Sequence, residues 1–276
     1  MLHMLSFDFM QHALLASLLA SVACGVVGSL VVVNRLVFLA GGVAHAAYGG
    51  VGLAFFLGLP VLPCTVGFSL GASLLMAGVS LRYRDKADTA IGVLWAAGMA
   101  FGIILLDLTP GYNVDLMSFL FGSILAVPVE DLWLMAGLNA VVLLLTAYHY
   151  PGLLLLSFDS EFARARGLAV PMLHCLMVGM AALCVVMIIR VVGLILVIAL
   201  LTIPPFMAQR HARSLAGMML AATGWSILFC LGGLALSYRF DLTSGASIIA
   251  VAAVCFFAAL GADGLKHAWQ GRRRTA

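Results

Sequence analysis

The decapeptide GGVAHAAYGG at 41–50 sets one ionisable ring, His45, among residues whose only other functional group is the Tyr48 phenol. A lone imidazole offers two chemistries: it can bind a divalent cation or a proton, or stay neutral and hydrogen-bond to a neighbouring helix for structure alone. A second stretch, LLSFDSEFARARGLAVP at 155–171, concentrates charge. Asp159 stands where an N-cap belongs and Gly167 where a helix ends. Between them Glu161 and Arg164 are spaced to pair, and Phe158 and Phe162 supply an apolar side. A segment capped at both ends suits docking to another protein or lying along a membrane surface.

Several other chemistries are missing. The zinc-protease spacing H-E-x-x-H does not occur, and the only lysines, Lys86 and Lys266, do not follow glycine, so no phosphate-binding G-x-x-x-x-G-K-[ST] loop exists. No enzymatic activity is expected of the chain, and any ATP it uses must be hydrolysed by another subunit. Cys24, Cys64, Cys175, Cys184, Cys230 and Cys255 form no C-x-x-C pair and read as small buried hydrophobes, and the fourteen methionines as packing.

The elements that position these stretches must be solvated by lipid. Hydrophobic residues make up 64% of the 276, charged residues 9%, and mean hydropathy is +1.17, whereas a soluble domain carries roughly 25% charged residues. A membrane-crossing helix needs ~20 apolar residues. About nine windows qualify, with eight as the alternative count: 10–33, 36–58, 60–81, 88–107, 131–150, 169–189, 191–209, 213–237 and 244–264. They predict a single all-α transmembrane domain over 1–276.

Within the second window, His45 lies ~14 Å from the nearer end, close to the bilayer midplane. Gly42, Ala46 and Gly50 form a row of small residues, and Gly41 and Gly49 lie one turn either side of the histidine, which predicts a groove with no side chains above or below the ring. The other ionisable groups in or near the windows, His12, Asp107, Asp131, His149, His174, Arg190 and Asp263, fall at or near their ends. No relay of carboxylates crosses the membrane, so ion-coupled transport is not indicated. The double proline of TIPPF, Pro204 and Pro205, predicts a break or kink near one end of the seventh span, as a candidate gate or an early helix end.

Basic residues set the orientation. With the amino terminus outside, all of the fourteen lysines and arginines except Arg190 and Arg239 fall on the cytoplasmic side. The carboxyl-terminal GRRRT then serves as a topological anchor rather than a nucleic-acid site, and with no basic residue before Arg35 the first window is expected to remain as a span.

The stretch SLVVVNRLVFLAGGVAHAAYGGVGLAFF at 29–56 resembles the signature of the ABC-3 permeases, the membrane subunits of zinc, manganese and iron importers. DLMSFLFGSILAV at 115–127, LLSFDSEFARARGLAV, and VVGLILVIALLTIPPFMAQR at 191–210 resemble further segments of that family, in the same order. The resemblance implies a type II ABC importer permease in the bacterial inner membrane, with two copies enclosing one pathway. Each copy would dock a coupling helix at about 158–167 into a cytoplasmic ATPase, and an extracytoplasmic metal-binding protein would deliver the ion.

By position His45 matches the family's pathway histidine and the metal residue. Asp159, Glu161, Arg164 and Gly167 match coupling positions, and Asp115 the acidic start of the external segment. Gly41 stands where the family has an aspartate, four residues before the histidine. Losing that oxygen ranks zinc first as cargo, then manganese or iron. The alternative function is an ATP-independent metal carrier, or a membrane scaffold in which His45 is structural.

Overall fold

Residues 8–83, 86–110, 124 and 127–274 are described in a computed structural model, without the side chains of 190–192 and 263–274. Among them every regular element is a helix: α1 (Asp8–Val33), α2 (Val37–Leu57), α3 (Val61–Arg82), α4 (Ala87–Asp107), α5 (Val129–Phe158), α6 (Ser160–Ala165), α7 (Val170–Val192), α8 (Leu194–Gln209), α9 (Leu215–Phe240) and α10 (Ser244–Arg274). Helices satisfy their own backbone, which lipid cannot do for them.

Each of the expected windows contains a helix, but their lengths differ from expectation in two places. Eight of the described helices are long and apolar enough to cross a membrane, whereas α8 has 16 residues and extends only ~24 Å against a hydrocarbon core of ~30 Å. It is short because α7 runs on to Val192 and the chain reverses at Gly193, whose φ of 84° and ψ of 164° suit glycine. Conversely α5 continues to Phe158, past the 131–150 window, with Pro151 in its interior. The adjacent Gly152 admits a side chain of α7: a Cβ there would stand 3.1 Å from Leu173 Cδ1.

The prolines of TIPPF neither break α8 nor end it early, since the helix continues through both to Gln209. Pro205 leaves the Leu201 carbonyl without its usual amide donor. Gly28 of α1 lies against that oxygen so closely that a Cβ would come within 2.7 Å of it. A neighbouring helix packed this closely is one setting in which proline is tolerated inside membrane helices.

Packing divides the bundle into two groups. α1 packs against α5, α7, α8 and α9, while α2 packs mainly against α3 and α4 and reaches the first group through α7 and α8. Small residues set the crossings, as Gly25 does against the Thr223 backbone and Gly50 against Thr65. Cys24, Cys184 and Cys230 are buried in the larger core as free thiols, in keeping with their reading as small hydrophobes.

Successive long helices reverse direction, which gathers the described connections at two ends. At one end Asn34 Nδ2 donates to Ser157 Oγ at 2.9 Å, Ala216 N donates to the Tyr150 hydroxyl at 3.1 Å, and Val33, Phe158, Gln209 and Ser214 line a common cavity. Ser80 Oγ lies 3.1 Å from His174 Nε2 near the same end. Arg35, Arg82, Lys86, Arg164, Arg166, Arg210 and Arg213 belong to this end by chain position, and Arg239 to the other.

Candidate functional site

His45 is carried near the middle of α2, whose glycines let α3 and α4 approach closely. α2 and α4 run in the same direction in tight register. A Cβ at Gly98 would sit 3.0 Å from Ala46 Cα, and one at Gly102 would sit 2.7 Å from the Tyr48 carbonyl carbon. This register brings Trp95 of α4 to the depth of His45, and the two rings stack with centroids 4.2 Å apart and planes at 23°. Phe38 also packs on the indole, tilted with its centroid 5.8 Å from that of Trp95.

The expected groove is therefore mostly filled. Gly42 faces Ile91 and Met76, Gly49 faces Phe68 and the Gly98 carbonyl, and Gly50 lies on the Thr65 backbone. These three are packing positions. Gly41 differs, because it is buried although a Cβ built on it would meet no atom within 4 Å. The imidazole one turn later on the same face has a buried Nδ1 without a hydrogen-bond partner. Elsewhere in the chain a histidine resolves this need locally, His149 Nδ1 lying 3.1 Å from Leu145 O.

A ring nitrogen left without a hydrogen-bond partner can take one coordination position of a cation or one proton. It cannot hold a metal alone. Among the described residues no group of three or more His, Cys, Asp or Glu side chains comes together to form a metal cage. A neighbouring cavity of about 510 Å³ begins at Ala46 and is lined by Phe68, Leu75, Ala97 and Phe101 among other apolar residues, so it supplies no ligand either.

The charged stretch forms α6 in the way its capping residues predict. Asp159 Oδ1 accepts from Glu161 N at 2.9 Å and Phe162 N at 3.0 Å, and Gly167 takes φ +79° just past the end. Arg164 and Glu161 pair at 3.7 Å, and Arg166 lies 5.1 Å over the Phe162 ring. Ala163 is fully buried and anchors the helix, whereas Phe158 is 76% and Phe162 45% exposed. Two large apolar rings are thus held outward where α5 ends and the short, doubly capped α6 begins.

The histidine site and α6 lie on different parts of the chain and do not touch. Pro204 and Pro205 are buried in α8, and Asp115 lies outside the described residues. Trp95 and Phe38 escape a search for titratable groups. A signal existed in the position of Trp95, since membrane tryptophans concentrate at the interfaces and this one is ninth in a 21-residue helix. The chain also contains GFSLG at 67–71, which has the G-x-S-x-G spacing of a hydrolase nucleophile elbow. It lies inside α3 with Ser69 fully buried, so the strand-to-helix turn that exposes such a serine is not there.

Comparison with known proteins places these features in a wider setting. Residues 6–262 match the model of the ABC 3 transport family. An uncharacterized membrane protein of Synechocystis sp. is 49% identical over 260 residues, covering 94% of this chain and 92% of that protein. The manganese transport system membrane protein MntC of Halalkalibacterium halodurans is 34% identical over 274 residues, covering 98% and 94%. Among solved structures, PsaBC from Streptococcus pneumoniae in complex with Fab has a chain that superposes with a TM-score of 0.82 at 32% identity, covering 92% of this chain and 91% of that one.

Proposed function

This chain belongs to the ABC 3 transport family, and from that membership we propose that it is the membrane-spanning subunit of an ATP-driven importer of divalent transition-metal cations. ATP hydrolysis resides in a separate cytoplasmic subunit, two copies of the chain flank one pathway, and an extracytoplasmic binding protein delivers the cation. The chain is oriented in the inner membrane with its amino terminus outside and its basic end, α6 included, in the cytoplasm, where the positive-inside rule favours it.

The observation that supports His45 as a pathway residue is its buried Nδ1, which has no hydrogen-bond partner although it sits near the middle of a membrane helix. A permease must release what it binds, so one imidazole with water completing the coordination sphere is better suited than a closed cage. Movement of the cation past His45 accompanies rearrangement of the bundle, driven through α6. The exposed Phe158 and Phe162 insert into the ATPase, and Asp159, Glu161, Arg164 and Gly167 keep the helix formed while it is pushed.

Two cargoes are weighed, one on ligand chemistry and one on a relative's name. A nitrogen ligand without a neighbouring carboxylate suits zinc, whereas the relative named as a manganese transport protein supports manganese. The test is uptake of zinc and manganese into proteoliposomes containing the permease, its ATPase and its binding protein. His45→Ala is expected to abolish most uptake while the complex still assembles and hydrolyses ATP. Undiminished uptake by that variant would return His45 to a structural role.

A further inference from the structure

The stacked pair suggests a role for Trp95 that builds on the reading of His45 as a pathway residue. A histidine on a helix can rotate its ring to reach the carbonyl one turn back, as His149 does toward Leu145. For His45 that carbonyl belongs to Gly41, whose missing side chain leaves nothing in the way, yet Nδ1 remains without a partner. What holds the ring in this orientation is the indole of Trp95, 4.2 Å away and nearly parallel. Rotation about the Cβ–Cγ bond would lift the imidazole off that face and lose the stacking contact. The indole in turn is fixed by Phe38 and by the close α2–α4 register at Ala46, Gly49, Gly98 and Gly102.

An aromatic face has a second property. It attracts positive charge, so an imidazole that has taken on a cation or a proton sits better on an indole than on an aliphatic side chain. We propose that Trp95 is a positioning residue for cation passage: it holds the His45 imidazole with Nδ1 uncommitted to any hydrogen bond, and its indole face stabilises the ring when the imidazole coordinates a borderline divalent cation such as zinc. Trp95 does not touch the cation. It acts through the histidine.

The stack supplies its own reporter, because a cation bound to the imidazole perturbs the emission of the indole beneath it. In the reconstituted full-length permease, Trp133→Phe, Trp225→Phe and Trp269→Phe leave Trp95 as the sole tryptophan. Titration with zinc is expected to give a saturable change in its emission that disappears when His45→Gln is added. In transport, Trp95→Phe keeps uptake within about twofold, while Trp95→Leu raises the KM for zinc up to ~tenfold with a smaller effect on the maximal rate.

Emission that ignores zinc, or a response that survives His45→Gln, overturns the proposal, and the fluorescence arm stands even if Trp95→Leu fails to fold. Equal KM values for Trp95→Leu and the parent also overturn it. These outcomes are separable from failure of the pathway reading, which is judged by uptake in His45→Ala with Trp95 intact.

Discussion

Position 41 shows how much one missing side chain decides. A carboxylate there would lie on the same helical face as His45, and the space it needs is open. Gly41→Asp is expected to fold and to raise manganese uptake relative to zinc by ~tenfold, because a hard oxygen then joins the nitrogen; competition between the two radiolabelled ions measures it, and an unchanged ratio would mean that cations do not pass Nδ1. Three glycines of one decapeptide also predict three stabilities. Gly41→Ala gains about 0.5–1 kcal/mol of helix propensity without a clash, Gly42→Ala displaces only the ends of Ile91 and Met76, and Gly50→Ala drives a Cβ to 2.7 Å from Thr65 Cα. Overpacking of that last kind costs about 1–3 kcal/mol. Thermal unfolding in detergent should rank the variants in that order.

Among the elements, α6 has six residues, too few to persist by its own hydrogen bonds. Its caps and the buried Ala163 hold it, and the exposed rings give it a use. Asp159→Ala removes the acceptor of two backbone amides and should destabilise the helix by ~1 kcal/mol, whereas Asp159→Asn keeps the cap. Co-purification with the ATPase is the measurement: it falls for Asp159→Ala and is retained for Asp159→Asn, and equal retention would show that an ordered α6 is not needed for docking. α8 illustrates the converse case, in which a local rule fails. Two interior prolines should interrupt a helix, but Gly28 of α1 packs on the Leu201 carbonyl that Pro205 leaves without a donor, and α8 stays continuous.

Across the whole molecule, alternation of helix direction collects most of the described basic residues at one end of the bundle. Cysteines introduced as Arg213→Cys and Leu242→Cys, in a background without the native six, should therefore react with an impermeant maleimide from opposite sides of the membrane. Labelling of both from one side would overturn the proposed path of α9. The helices, their approximate windows, the basic end and the capped α6 were all legible in the sequence, because each follows from residues near one another in the chain: apolar length, charge at a connection, a cap at a fixed offset. Tertiary structure decided the rest. The fifty-residue separation that places Trp95 under His45, the filling of the space at Gly42, Gly49 and Gly50 but not at Gly41, and the survival of α8 through Pro204 and Pro205 all depend on the register between helices. That register is set by close packing of small residues on different segments, and lipid, as apolar as the helices themselves, leaves no mark in any one segment of which face meets which neighbour.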